Sequence, residues 1–430
     1  MATNSLLIIF TYASAGFGHL RVMDALYSGL EDKTNSIVIG SQDQALTFFH
    51  RLTSVHPLIR GFFEWMQQGA PEEIFAHLYK TSLRARTSRL EKQINSILSQ
   101  VVTKPKRLLI ISTHFGLAHQ FGKLKRKIET EHKVKLFLVV QVTDDSPQKL
   151  WYVPEADIIF VPSSHTRDKL IEYGKKHNFP QPQFEVITYP ISPLLTNKAS
   201  EAYFQTRSRQ VNPARDEQIN VLIPISGAAV GLDFFIQLTK MLHEKNKRFK
   251  FHILVKKTLY TEMFMSKMIE LPYINLHVFS EDRQMVDQYE EIYHREVISF
   301  EITKPSEQSF KALLSPSQVG GSILLFTSPV GRQEYDNLKF LARNSLIPGL
   351  EQTLREWRKI KETKPLDIVE AENLRGIQLP RKPQQAATFI DKMLKEGVFL
   401  KMLNFRNLSI LDSTGVAKFW QRVEDLLKTA

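Results

Sequence analysis

Short runs of apolar, β-branched residues alternate along the chain with stretches in which apolar residues recur every three or four positions. The runs SLLIIFTY (5–12), SIVIG (36–40), RLLIIS (107–112), VKLFLVVQ (134–141), DIIFVP (157–162) and FEVIT (184–188) read as strands. Helical stretches lie between them. In LRVMDALYSGL, for example, Met23, Leu26, Tyr27 and Leu30 share one face. Strands that are apolar on both faces and alternate with helices predict a parallel sheet covered on both sides. The rhythm breaks over residues 196–219, which are polar and carry no apolar period, so this segment reads as a linker. It resumes with NVLIPIS (220–226), FKFHILV (249–255), INLHVF (274–279), VISFEIT (297–303) and SILLFT (322–327). The pattern therefore predicts two α/β halves, residues 1–195 and 220–410. Residues 350–410 are charged and punctuated by proline, with a strand expected at VFLKMLNF (398–405). The last stretch, 411–430, places Val416, Phe419, Trp420, Val423 and Leu427 at helical spacing.

Composition changes the picture in a few respects. A chain of 430 residues is too long for one ordinary core. No apolar run approaches the ~18–20 residues of a bilayer-spanning helix. The start, MATNSLLIIFTYASAG, lacks a basic leading region and reads as a first strand rather than a secretory signal. The absence of cysteine excludes disulfides and thiolate metal sites and is compatible with a reducing interior. The net charge of +12 comes partly from KPKR (104–107), KLKRK (123–127) and KNKRFK (245–250). These are either solvated helix faces or the footprint of an anionic partner, such as a phosphorylated substrate or an acidic membrane surface. They are dispersed and accompany no nucleic-acid motif, which argues against a nucleic-acid partner.

Four stretches carry candidate chemistry. In TYASAGFGHL, Gly16, Gly18 and His19 arrive where a strand hands over to a helix, which suits a phosphate loop, a catalytic histidine or a plain tight turn. A dinucleotide fingerprint would need a third glycine where Arg21 stands and an acid where Gly40 and Ser41 stand, so a dehydrogenase is disfavoured. In VVQVTDDSPQKLW a strand ends at Thr143-Asp144, with Trp151 downstream. LIPISGAAVGLD (222–233) is a second strand–glycine–helix turn, with Gly227 and Gly231. Finally, a strand ends at Thr303-Lys304, and the next is followed by Gln333-Glu334 and Asn337.

Taken in order, these stretches resemble the glycosyltransferases that put sugars on diacylglycerol: the processive diacylglycerol glucosyltransferases and the related monogalactosyldiacylglycerol synthases. The matching positions are Gly18-His19, Val142-Thr143-Asp144 with Trp151, Gly227 to Gly231, Ile302-Thr303-Lys304-Pro305, and Gln333-Glu334 with Asn337. The resemblance spans roughly residues 5–345. It departs from the family at Ser306-Glu307, where the family has two glycines, at Ala312, Gln148 and Gly331-Arg332.

The resemblance implies an α/β GT-B fold, two Rossmann-like domains facing across a cleft, with the closing helix returning to the first domain. It implies metal-independent, inverting transfer of a hexose from a UDP-sugar to a lipid hydroxyl, with no cofactor. His19 is then the base, oriented by Asp144. The donor falls to Gly18, Gly227, Gly231, Lys304, Ser306, Glu307, Gln333, Glu334 and Asn337, and the acceptor to His114, Trp151, Phe62 and Trp65. Phe62 and Trp65 lie in VHPLIRGFFEWMQQG, whose aromatics beside Arg60 suit either a segment lying on lipid or a core helix. The expected setting is cytoplasmic and peripheral to a membrane. The departures at Ser306, Glu307 and Ala312 sustain a second expectation, a scaffold that binds a nucleotide-sugar or lipid without turnover; a transferase with a non-lipid acceptor is a further alternative.

Overall fold

A computed structural model of the chain describes residues 6–13, 17–41, 69–101, 103–225, 227–362, 364–407 and 412–429. The chain divides into two compact units, residues 1–192 with 414–430 and residues 193–413. Each is built around one sheet of six parallel strands.

Unit 1 contains β1 (Leu6–Ala13), α1 (Phe17–Ser28), β2 (Ser36–Ser41), α2 (Gly69–Ala85), α3 (Ser88–Gln100), β3 (Arg107–Ser112), α4 (Phe115–His132), β4 (Lys135–Gln141), β5 (Ile158–Val161), α5 (Ser164–Lys176) and β6 (Gln183–Val186). Its strand order is β2-β1-β3-β4-β5-β6. Order therefore reverses between β1 and β3, which pair in parallel from Leu6 with Arg107 to Thr11 with Ser112. Leu108, Leu109, Ile110 and Ile111 are wholly buried, as expected of a strand covered on both faces. Phe62 and Trp65 lie outside the described residues.

Unit 2 opens with the short helix α6 (Pro193–Thr196) and α7 (Glu201–Val211). It continues through β7 (Ile219–Pro224), α8 (Leu232–Lys245), β8 (Phe249–Lys256), α9 (Glu262–Ile269), β9 (Ile274–Phe279), α10 (Asp282–Arg295), β10 (Phe300–Thr303) and β11 (Ile323–Phe326). After these come α11 (Arg332–Arg343), α12 (Leu350–Lys361), β12 (Gly376–Gln378), α13 (Pro383–Lys395) and α14 (Val398–Leu403). The sheet runs β12-β11-β10-β7-β8-β9. Read from β9, this is the doubly wound order 3-2-1-4-5-6, with its switch point between β7 and β10.

Two expectations fail, each for a physical reason. The polar segment 196–219 is no linker: it holds α7 and belongs to unit 2. Arg207 of α7 is fully buried, and its guanidinium donates to the carbonyls of Ile298 (3.0 Å), Pro316 (2.5 Å), Gln318 (2.9 Å) and Val319 (2.7 Å). A charged residue that looks solvated in sequence is here a tertiary peg. The strand expected at 398–405 is α14, which begins after left-handed Gly397 and buries Val398, Phe399, Met402 and Leu403 in the unit 2 core. Its apolar residues suit either period, and packing chose the helix.

Arg375 repeats the Arg207 device, donating to the carbonyls of Leu314 (3.0 Å), Gly321 (2.7 Å) and Ser322 (3.2 Å). Between them the two guanidinium groups hold the segment 314–322. From it the Gln318 amide donates to Thr196 O (2.6 Å) and Ser413 Oγ (2.9 Å), so the two ends of unit 2 meet at one side chain.

The closing helix α15 (Gly415–Thr429) lies on unit 1. Trp420 Nε1 donates to Leu26 O (2.9 Å), Phe419 sits 4.9 Å from Phe160, and Arg422 pairs with Glu185 (2.5 Å). Among the described residues no helix is long and apolar enough to cross a membrane.

Candidate functional site

In open parallel sheets a ligand sits beyond the carboxyl ends of the strands, where strand order reverses. In unit 1 that point lies beyond β1 and β3, and both segments that follow contribute to it. His19 stands in the first turn of α1, and Thr113 and His114 follow β3 directly. Because Thr11 pairs with Ser112, the chain delivers Thr113 beside the start of α1. His19 Nδ1 lies 2.5 Å from the Thr113 carbonyl oxygen, with Thr143 Oγ1 3.3 Å from the same nitrogen. Thr113 Oγ1 in turn donates to His19 O (2.8 Å). A carbonyl only accepts, so Nδ1 carries the proton in the neutral ring, which leaves Nε2 as its basic atom.

The sequence assigned the orienting role to Asp144. Two bonds that reach the ring come from Thr113 and from Thr143, the neighbour of Asp144. Asp144 is buried and accepts from Ser146 N (3.0 Å). Thr113 was missed because a backbone carbonyl has no sequence signature; only the pairing of β1 with β3 reveals it.

Around His19 stand His114, with ring centroids 5.0 Å apart, and Trp151, at 6.1 Å. Phe115 holds both, stacked on His114 at 4.6 Å and edge-on to Trp151 at 5.5 Å. His114 is the N-cap of α4, its Nδ1 accepting from Leu117 N (3.4 Å). Burial, then the neighbouring His19 and His119, hold its pKa well below the ordinary histidine value, so it is neutral. His119 is pulled down to about 3, first by burial and then by Lys80, against the bond from its Nε2 to Leu150 O (3.0 Å).

In unit 2 the switch point brings three turns side by side, because β11, β10 and β7 are neighbours. The turn after β7 includes Gly227 and ends at Gly231, whose φ of 80° is the left-handed conformation that glycine adopts without strain. The second turn carries Lys304, Pro305 and Ser306 into a 3-10 turn, Glu307–Leu313. The third ends at Gly331, φ 84°, before α11.

The expected donor residues divide by what they touch. Asn337 is buried, and its Nδ2 donates to Pro305 O (3.1 Å), so it ties the third turn to the second. Glu334 accepts from Val330 N (2.6 Å). Arg332 pairs with Asp336 (3.3 Å). Lys304, Ser306, Glu307 and Gln333 are half-buried along these turns. Beneath the 3-10 turn lies a polar network that the sequence did not reveal. Lys311 Nζ meets Glu301 Oε2 (2.6 Å), Tyr289 OH (2.8 Å) and Tyr293 OH (2.5 Å), all buried. Among the described residues no three histidine, aspartate or glutamate side chains converge as metal ligands.

No family model matches this chain, and no curated protein sequence does. Solved structures do. An S. aureus MnaA–UDP complex superposes with a TM-score of 0.51 at 12% identity, covering 99% of this chain and 98% of its own. A putative UDP-N-acetylglucosamine 2-epimerase from Listeria monocytogenes gives 0.51 at 11% identity, covering 97% and 94%. The fold is GT-B, two Rossmann-like domains in one chain. At such identities the likeness is one of fold. The basic clusters are partly paired within the chain itself: Lys125 pairs with Asp157 (2.7 Å), Lys127 with Glu91 (2.6 Å) at the surface, and Arg248 donates to Gln210 O (2.7 Å).

Proposed function

We propose that this protein transfers a hexose from a UDP-sugar to the hydroxyl of a lipid such as diacylglycerol, with inversion and without a metal, at the surface of an anionic membrane. The observation that carries the reading is His19, whose Nδ1–H is held by Thr113 O at the switch point of unit 1. In the proposed step Nε2 takes the acceptor's hydroxyl proton. The oxygen forms a bond to the anomeric carbon, and the bond from that carbon to the diphosphate oxygen breaks, leaving UDP with the electron pair. A base near neutral pH suits that task. Peptide N–H groups around Gly227, Gly231 and Ser306, with Lys304, suit the departing charge. Gln333 and Glu334 are assigned to sugar hydroxyls, and Glu307 to the donor turn. UDP as the nucleotude is supported by the MnaA–UDP complex, a structure of the same fold. The lipid acceptor is supported by the ordered motif resemblance alone.

A second reading, nucleotide-sugar binding without turnover, is favoured by Glu307 where a diphosphate would approach, and by the engagement of Glu334 with Val330 N. One assay separates the two. Purified protein is incubated with diacylglycerol liposomes and a panel of UDP- and GDP-sugars, then examined for glycolipid and free nucleotide. Glycolipid that disappears with His19→Ala supports transfer. Nucleotide-sugar binding with neither product supports the second reading.

A further inference from the structure

The unit 2 sheet ends on β9, which is therefore an edge strand. Natural edges are guarded against pairing with another chain by charge, proline, a bulge, brevity or a covering segment. Two other edges of this molecule are guarded in that way. β6 carries Glu185, which Arg422 of α15 engages, and β12 is three residues long. β9 has none of these devices. Its six residues, INLHVF, include no proline, lysine, arginine or acid. They pair with β8 without a break from Phe251 with Ile274 to Lys256 with Phe279. Most of the strand is only half-buried, and Val278 is 43% exposed. α9, which packs on it, leaves Met263 and Ile269 70% and 71% exposed.

The ladder fixes which peptide groups face outward. Tyr273 O and Phe279 O accept from Phe251 N and Lys257 N of the β8 segment. A parallel strand turns alternate residues to its two sides, so Asn275 and His277 also bond toward β8, and Ile274, Leu276 and Val278 face away. Ile274 N is taken by Leu271 O (3.0 Å). Among the described residues no group outside the sheet accepts from Leu276 N or Val278 N.

We propose that β9 pairs antiparallel with β9 of a second copy of this chain, about a two-fold axis at Leu276, so that two six-stranded sheets join into one. The strand is complementary to itself in this register. Opposed residues share a face, so Leu276 meets the partner's Leu276 and Ile274 meets the partner's Val278, an apolar row. On the other face Asn275 meets the partner's His277, an amide beside an imidazole. The backbone fits equally well. The two Leu276 residues exchange N–H···O bonds, and each Val278 N–H donates to the carbonyl of Ile274 across the axis. Centring the axis on His277 instead would set the two imidazoles against each other and Asn275 against Phe279.

The test uses the full-length protein in sedimentation velocity over the micromolar range, where a dimer is expected. Val278→Pro removes an outward N–H and leaves the bonds to β8 in place. It should raise the dimer dissociation constant at least about tenfold, with circular dichroism unchanged. Val278→Lys sets a charge beside the apolar row and should act in the same direction without altering the backbone. The chain has no cysteine, so the register can be read covalently. Asn275→Cys and His277→Cys proteins, mixed with oxidised glutathione as the oxidant, should give a disulfide-linked dimer of the two, identified by mass. Either protein alone should give far less. A monomer throughout the range, a dimer that both Val278 variants leave intact, or equal cross-linking by His277→Cys alone would overturn the inference.

Discussion

The His19 imidazole is held by the backbone of Thr113, its Nδ1 2.5 Å from the carbonyl oxygen, so the two segments that follow paired strands fix one tautomer of one ring. A carboxylate partner can be titrated or mutated away. A peptide carbonyl cannot, and its hold on the ring persists as long as β1 and β3 stay in register.

If Nε2 is the base, His19→Ala lowers kcat by about 10²–10⁴-fold and leaves the UDP-sugar Kd within about twofold. Thr113→Val removes the hydroxyl that donates to His19 O while keeping the carbonyl. It should lower kcat by less than about tenfold. Steady-state kinetics with isothermal titration of UDP check both. A loss in Thr113→Val equal to that in His19→Ala would count against the backbone as the orienting group.

Acid should weaken the fold through His252, which burial, then His277 and Lys250, bring down to about 4 from the ordinary 6.5. Above the ordinary value neither state binds the proton, so stability is full there. Below it the unfolded chain takes up a proton that the folded chain refuses, and stability falls as pH drops toward 4. The slope from this one group approaches ~1.4 kcal/mol per pH unit. Both ring nitrogens are buried without partners, so His252→Leu should fold as well at pH 7.5 and flatten the decline between pH 6.5 and 4. Urea unfolding across that range reads the slopes; parallel curves for the two proteins would refute the assignment.

Lys311 and Glu301 are a buried pair beneath the 3-10 turn. Lys311→Met strands the carboxylate among two tyrosines and should cost about 3–5 kcal/mol. The double change Lys311→Met with Glu301→Leu should cost less than the two single changes together. Denaturant midpoints of the four proteins close the cycle, and strict additivity would show that the pair is not coupled.

Gly29 lies where α15 crosses α1. A Cβ there would collide with Val416 Cγ1. Gly29→Ala should therefore cost about 1–3 kcal/mol, and Val416→Ala in the same chain should recover part of it. Calorimetry of the single and double variants decides this. Failure of Val416→Ala to help would place the strain elsewhere.

Much of the framework was legible from period alone. RLLIIS and INLHVF coincide with β3 and β9, and the other strand runs, VFLKMLNF apart, fall within a few residues of the observed ones. A strand buried on both faces must be apolar throughout, so its composition announces it. β12 went unseen because Gly376–Gln378 is too short to show a period. Arg207 misled because a guanidinium bonded to four carbonyls looks, in sequence, like any solvated charge.

The candidate site divides in the same way. Gly231 and His19 could be picked out because a glycine turn and an imidazole are properties of single residues. Their partners could not. Thr113 stands ninety-four positions from His19, and Lys311 reaches Glu301 only because the 3-10 turn folds over the sheet. Local chemistry determined which segments became strands, helices and turns, since each segment's own periodicity and backbone freedom govern that choice. Which carbonyl holds the imidazole, which arginines are pegs and which donors lack a partner was decided by strand order, because a hydrogen bond forms only between groups that the sheet has already brought together.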